Sequence, residues 1–454
     1  MENRPKRLAP SPSNRLVNWS LLLLPAALMG AFGGVLEAFA ILLYGLVFAV
    51  AVVDLWLSRN RFTSLNPQMP AVVRLAKDSR NEVPMHLEHQ GCTGFELEVG
   101  LLLPAHLGAE KLTTKLRIEG TTGQSSFGWP CKPTRRGTTS VEVIHLGFPS
   151  RFGFWKLRRR YTVKSEWRVY PNLASEYRSL AGLFLNRGSS GIHRQRQLGR
   201  GREFEKLREY QPGDSVEDVA WKASAKRQSL VTRVYQVERT QEVYAIIDAS
   251  RLSTRVLPVR DTDRSTDTVL DRYITAATLL GMAIQRQNDL FGLSVFSDGI
   301  DSFIRAKSGV GHRQACTNTL YGLHARTVAP DFSEIITSLK MRLRKRALLL
   351  FLTDLHDTVA AEQFLEMIPL LSRQHVVIVH MLSAEGTQPL FTSEPPAGVE
   401  QICSQIDGHV RWQRLNSVRE NLARHHVRCD FSSDERFCTD LINRYIEVKQ
   451  RQLI

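Results

Sequence analysis

Residues 241–253 read QEVYAIIDASRLS. Val243 to Ile247 is an unbroken apolar run that stops at Asp248. A strand with one wet face alternates, whereas a run without alternation fits a strand covered on both faces. The same signature recurs in FGLSVF at 291–296, ALLLFLTD at 347–354 and HVVIV at 375–379. Helical spacing fills the intervals, at about 266–287, 313–324, 331–344 and 360–373. Strands alternating with helices predict an α/β domain over 239–454, a parallel sheet with helices on both faces. Ligands of such sheets bind beyond the carboxyl ends of the strands, where Asp248 and Asp354 stand. A closing helix at 434–452 carries Leu441, Ile442, Tyr445 and Ile446 as a packing stripe.

Upstream, residues 207–238 read LREYQPGDSVEDVAWKASAKRQSLVTRVYQVE. Gln211-Pro212-Gly213-Asp214 is a turn, because proline presets one φ and glycine accepts the left-handed one. Asp214 or Ser215 is placed to cap a short helix, with Glu217 and Asp218 in its first turn. Val219, Ala220 and Trp221 are expected to be buried, so that Trp221 anchors the segment on the α/β domain. Lys222 starts the basic end of this helix, and 231–237 alternates as a strand.

This string resembles the signature of the bacterial family called domain of unknown function 58, through Arg208, Tyr210, Pro212, Gly213, Asp214, Asp218, Trp221 and Lys222. Phe148-Pro149-Ser150-Arg151-Phe152-Gly153-Phe154 resembles, in looser form, an element that precedes the signature in that family. The resemblance implies a transmembrane pair, a β-rich region and a von Willebrand factor A-like domain. It also implies a MoxR-type AAA+ ATPase as partner, in envelope-protein maturation or stress response. An A-like domain suggests a Mg²⁺ site of the D-x-S-x-S type, for which hard oxygen ligands are suited. Asp248, Ser250 and Asp354 match that pattern, while Leu252 stands where its second serine belongs. Thr317 and Thr319 are weak candidates for the missing threonine. Without a full ligand set, the other reading of Asp248 is a helix cap or loop brace.

From 66 to 171 the pattern has period two, as in Phe95-Glu96-Leu97-Glu98-Val99, which predicts a small β-sandwich. Lys156-Leu157-Arg158-Arg159-Arg160 is either a solvated strand end or a contact for lipid headgroups. Residues 172–206 are basic and glycine-containing, and are expected to form a flexible linker.

The 39 residues from Trp19 to Leu57 contain no Lys or Arg. As helix they would span about 58 Å at roughly 1.5 Å per residue, nearly twice a hydrocarbon core of about 30 Å. A transmembrane hairpin follows, with arms at 19–36 and 38–57 and a break at Gly33, Gly34 and Glu37. A cleaved signal peptide ending near Ala38-Phe39-Ala40 is the rival. Arg4, Lys6, Arg7 and Arg15 precede the pair and Arg59 and Arg61 follow it. The positive-inside rule then places the tail of residues 1–18 and the soluble domains in the cytoplasm, on a multi-pass protein of the cytoplasmic membrane.

A chain that is 43% hydrophobic and 23% charged is not disordered. Six cysteines without a CxxC pair read as reduced thiols. The net charge of +15 is diffuse, and without a recognition motif no nucleic acid is expected. Asp261, Asp263, Asp267 and Asp271 read as solvated surface. Adjacent His425 and His426 would point to opposite faces of a strand and so would not share a zinc with Cys429. No nucleophile motif or phosphate loop is present, so the leading expectation is a non-enzymatic, membrane-anchored adaptor. A Mg²⁺-dependent hydrolase using Asp248 and Asp354 is the alternative.

Overall fold

The computed structural model describes residues 9–30, 33–59, 65–90, 96–108, 113–117, 122–174, 176–177, 198–212, 214–236, 240–258, 267–384, 386–392 and 398–451. Two compact units are present, one built on residues up to 172 and the other on 173–257 and 267 onward.

The first unit opens with strand β1 (Ala9–Pro12) and helices α1 (Asn14–Leu22), α2 (Leu24–Gly30) and α3 (Val35–Ser58). Of the expected tail at 1–18, residues 9–12 are strand and 14–18 helix, and residues 1–8 lie outside the described residues. The arm expected at 19–36 is broken at Leu23, just before Pro25, whose ring removes a helical N–H and crowds the turn behind it. The second arm starts at Val35 rather than Ala38. Gly33 and Gly34 make the break, with φ of 77° and 72°. Glu37 falls inside the first turn of α3, where the helix end favours a carboxylate. Helix α3 is long and apolar enough to cross a bilayer.

Strands β2 (Leu65–Gln68), β3 (Val72–Ala76), β4 (Asn81–Gln90), β5 (Glu96–Leu101), β6 (Thr113–Arg117), β7 (Thr122–Cys131), β8 (Gly137–Pro149) and β9 (Trp155–Tyr170) follow. One sheet runs β1-β9-β8-β5-β6 with β3 also on β9, and the other runs β2-β4-β7. Period two decides which residues turn inward. Val83, Met85, Leu87 and Trp129 from the smaller sheet share one core with Val99, Ile144, Leu157, Tyr161 and Trp167 from the larger.

In the second unit, β10 (Leu198–Glu209) pairs antiparallel with β11 (Val231–Gln236), and helix α4 (Trp221–Arg227) lies between them in sequence. Residues 198–206, read as linker, are thus strand; residues 178–197 lie outside the described residues. The main sheet is formed by β12 (Glu242–Asp248), β13 (Leu290–Phe296), β14 (Ile300–Lys307), β15 (Leu348–Leu352), β16 (Val376–Leu382) and β17 (Arg428–Ser432). Its order is β14-β13-β12-β15-β16-β17. Five strands pair parallel, and β14 runs antiparallel at the edge. The sheet is therefore mixed, because the short turn after β13 leaves no room for a crossover helix.

The helices are α5 (Val269–Arg286), α6 (Val310–Tyr321), α7 (Phe332–Arg342), α8 (Thr358–Met367), α9 (Pro369–Ser372), α10 (Val399–Arg424) and α11 (Phe437–Gln450). Val243, Ala245 and Ile247 pack with Tyr273 and Ile274 of α5 and with Leu441 and Tyr445 of α11. Tyr244 and Ile246 pack the other way, with Phe332, Phe364 and Leu422. Asp271 closes a capping box with Thr268, while Asp261 and Asp263 lie outside the described residues. His425 and His426 sit in the turn after α10, not on a strand, and Cys429 is buried in β17.

Candidate functional site

Strand β12 has β13 on one side and β15 on the other. The chain moves outward in both directions from β12, so a crevice opens at the carboxyl ends of β12 and β15. β12 ends in Asp248, and β15 runs on into Thr353 and Asp354. Asp248 is wholly buried. Its Oδ1 accepts from the Ser250 N–H at 2.8 Å, and its Oδ2 accepts from the Thr353 hydroxyl at 2.6 Å. Ser253 donates to the Asp248 carbonyl at 2.6 Å, and the Ser250 hydroxyl accepts from the Leu252 N–H at 3.3 Å. Burial pushes the Asp248 carboxyl up to about 6, against the pull of the Ser250 and Thr353 hydrogen bonds.

Asp354 lies beside this group and is only 6% exposed. Its Oδ1 accepts from the His356 N–H at 2.9 Å and also meets the His356 ring Nδ1. Arg255 pairs with its Oδ2 at 3.4 Å and donates to the Leu382 carbonyl. Arg251 turns away to Asp357 at 2.9 Å. A cleft of about 520 Å³ opens next to Asp354, lined by Arg255, His356, Leu365, Arg411, Leu415 and Val418.

The sequence-predicted Asp248, Ser250 and Asp354 thus gather at one end of the sheet, but they do not fit a cation. Each oxygen of Asp248 accepts one hydrogen bond, and it is the Arg255 guanidinium beside Asp354 that opposes a cation. A Mg²⁺ ion would have to enter beside a fixed positive charge. Among the described residues no three His, Cys, Asp or Glu side chains are grouped to hold a metal. Thr317 and Thr319 belong to α6, where the Thr319 hydroxyl bonds back to Ala315. The loop that does reach the site is 326–328. Arg326 donates to the Ala249 carbonyl at 2.7 Å, and the Arg251 N–H donates to the Val328 carbonyl at 2.9 Å. Those backbone bonds hold the 326–328 loop against the residues that follow β12.

The 207–238 segment departs from expectation at its centre. Trp221 is the first residue of α4 and is 61% exposed, as are Val216 and Leu230 to similar degrees. Val219 and Ala220 are buried instead. The Ala220 N–H donates to the Val231 carbonyl, and Ser224 accepts from the Val231 N–H at 2.9 Å, so α4 is held to β11 by its small residues. Trp221 then projects outward. Asp214 does not cap a helix. It accepts from the Gln211 N–H at 3.0 Å and pairs with Arg208 at 2.6 Å. The Gln211 bond, followed by the Arg208 charge, holds its carboxyl below the usual range. Tyr210 reaches the Asp214 carbonyl, Asp218 ends a 3₁₀ turn begun at Val216, and Lys222 is exposed beside Trp221. Pro212 is exposed in the turn, and Gly213 lies outside the described residues.

Residues 206–390 match the family model described as "Protein of unknown function DUF58". That match spans 185 of the 454 residues and is a likeness of this part of the chain to the family. The DUF58 region thus takes in the ribbon, α4, Asp248 and Asp354. No curated protein matches the chain. Among solved structures, a conserved hypothetical protein BatB from Bacteroides thetaiotaomicron is 12% identical, covering 46% of this chain and 99% of its own, with a TM-score of 0.32. The SpRpn10 VWA domain is 10% identical, covering 45% and 95%, with a TM-score of 0.27. An aerotolerance-related membrane protein from Bacteroides fragilis NCTC 9343, with multiple mutations to serines, is 12% identical over 45% and 99%, with a TM-score of 0.26. At these scores the likenesses carry no argument.

Proposed function

We propose that the protein is a membrane-anchored, non-enzymatic adaptor whose DUF58 segment presents a surface to another protein. The exposure of Trp221 carries this reading. A large aromatic at the head of a helix, left in solvent while its small neighbours are buried, is the side chain that most often anchors a protein interface. The guanidinium of Arg255 beside Asp354 supports a binding role over metal-assisted hydrolysis.

The anchor is a two-crossing hairpin in the cytoplasmic membrane. Ser13, the N-cap of α1, donates to the Gly153 carbonyl at 2.5 Å. Asp54 and Ser58, at the far end of α3, bond the same 150–154 loop, through the Phe152 N–H at 2.9 Å and the Arg151 N–H at 3.0 Å. Both ends of the apolar segment therefore return to one place, which one crossing would not allow. The flanking arginines favour the cytoplasmic side. The α/β domain is von Willebrand A-like, and the partner is an AAA+ ATPase of the MoxR type in envelope-protein maturation or stress response.

The test is affinity capture of the solubilised full chain from its host, with and without ATP, followed by mass spectrometry. Wild type and Asp248→Asn should retain an AAA+ ATPase that Trp221→Ala loses. Capture of no ATPase would remove the proposed partner, and equal capture by Trp221→Ala would remove the proposed surface.

A further inference from the structure

The first unit carries a row of cations that nothing in the proposed adaptor surface uses. On β9, Leu157 is buried while Lys156, Arg158 and Arg160 are exposed on the opposite face. Their partners in register are Ser11 and Pro149 for Lys156, Ala9 and Gly147 for Arg158, and His145 for Arg160. None of these is a carboxylate. The nearest acid by register is Glu98, one strand beyond Gly147. The first carboxylate along β9 is Glu166, already paired with Arg168 at 2.8 Å. Like charges at alternate positions repel unless a counter-ion joins them. The field of this row is visible at His145, whose imidazole is held below its usual value by burial and then by Arg160 and Arg158.

The position of the row is fixed by α3. Asp54 accepts from the Ser150 hydroxyl and from the Phe152 N–H at 2.9 Å and the Phe154 N–H at 3.3 Å. The indole N–H of Trp155, the first residue of β9, donates to the Ala51 carbonyl at 2.8 Å. β9 therefore starts against the last two turns of the apolar helix. At about 3.3 Å per residue, Arg158 lies about 10 Å along the strand from Trp155 and Arg160 about 17 Å. Phe152 and Trp56 are exposed at the same end, at 49% and 73%, as aromatic side chains are at a headgroup boundary.

We infer that Lys156, Arg158 and Arg160 form a binding face for the phosphate headgroups of anionic lipid in the leaflet where α3 ends. This rests on the anchor reading above. Charges near a surface act within a Debye length of about 8–10 Å, so Lys156 and Arg158 contribute most and Lys164, further along β9, least.

Full-length protein is first tested for resistance to carbonate extraction from native membranes. It is then reconstituted in nanodiscs of phosphatidylcholine with increasing phosphatidylglycerol, and co-purifying lipid is counted by native mass spectrometry. Wild type should retain phosphatidylglycerol about tenfold over phosphatidylcholine. The combined change Lys156→Gln, Arg158→Gln and Arg160→Gln should bring that to within about twofold, while Lys164→Gln leaves it unchanged. Extraction by carbonate would overturn the anchor reading and this face with it. Resistance to carbonate without lipid preference, or equal loss in Lys164→Gln, would overturn the face alone. Stabilisation of the phosphatidylcholine sample by about 10 mM free phosphate, where screening is still weak, to the same Tm as by phosphatidylglycerol would also overturn it, since the site would then be an ion site and not a lipid surface.

Discussion

Asp54 on α3 and Asp248 at the end of β12 are both wholly buried, and each accepts from a hydroxyl and from backbone N–H groups. They differ in what they join. The partners of Asp54 lie in a loop 96 to 100 positions away, so its carboxylate fastens the long apolar helix to a β-domain. Asp248 takes one partner two residues on and the other from the strand beside it, so it shapes the rim of a single sheet. Burial of a carboxylate in an unfamiliar protein invites a catalytic reading. In both places here the hydrogen bonds account for the burial of the carboxylate.

The largest effect should come from Asp54→Ala. It strands the Ser150 hydroxyl and the N–H groups of Phe152 and Phe154, and is expected to cost about 3–5 kcal/mol, read as a lowered Tm of the solubilised protein. A melt like that of wild type would erase the contrast with Asp248, since neither carboxylate would then be a fastener.

Next comes the pH dependence of Asp248. Its folded carboxyl titrates near 6 against an ordinary 3.8, so the native state holds its proton more tightly than the unfolded chain. That contribution is complete below the unfolded value and is lost as pH rises through the folded one. Asp248→Asn, which keeps a neutral side chain, should therefore be less damaging at pH 7 than at pH 4, by roughly 2 kcal/mol in chemical denaturation. A constant difference across that range would show that Asp248 is solvated after all.

Gly153→Ala sharpens the Asp54 side of the comparison. Gly153 has φ of +82°, and an added Cβ would lie 3.0 Å from the Arg15 guanidinium. A loss of about 1–2 kcal/mol is expected from the left-handed backbone alone. If the melt is unaffected, the loop is not held in the shape that Asp54 requires. The smallest effect on stability belongs to Trp221→Ala, within about 0.5 kcal/mol of wild type by denaturation. A large loss would return Trp221 to the core and withdraw the proposed partner surface.

Much of the α/β unit is legible because its strands are buried on both faces and read as continuous apolar runs. Val243 to Ile247 and Leu348 to Leu352 are strands, with Asp248 and Asp354 at their ends. The β-region is legible for the complementary reason, since alternation marks one buried face, as at Val83, Met85 and Leu87. Trp221 was misread because hydrophobicity predicts burial only on average. In the described structure, Val219, Ala220 and Ser224 satisfy the contacts to β11 and leave no site for a large ring. Asp54 was missed because one acid near the end of an apolar run looks like an interface residue. A buried acid is costly unless partnered, and that cost was the available signal.

The sequence by itself determined the alternation of elements, the glycine break before α3 and the DUF58 signature, because periodicity, backbone freedom and turn chemistry act over a few residues. Tertiary structure alone decided that Arg255 faces Asp354, that Thr353 takes an oxygen of Asp248 and that Ser13 and Asp54 meet one loop. Those contacts join residues about a hundred or more positions apart, and the physical rule behind them, that buried polar groups must find partners, does not say which partner until the chain has folded.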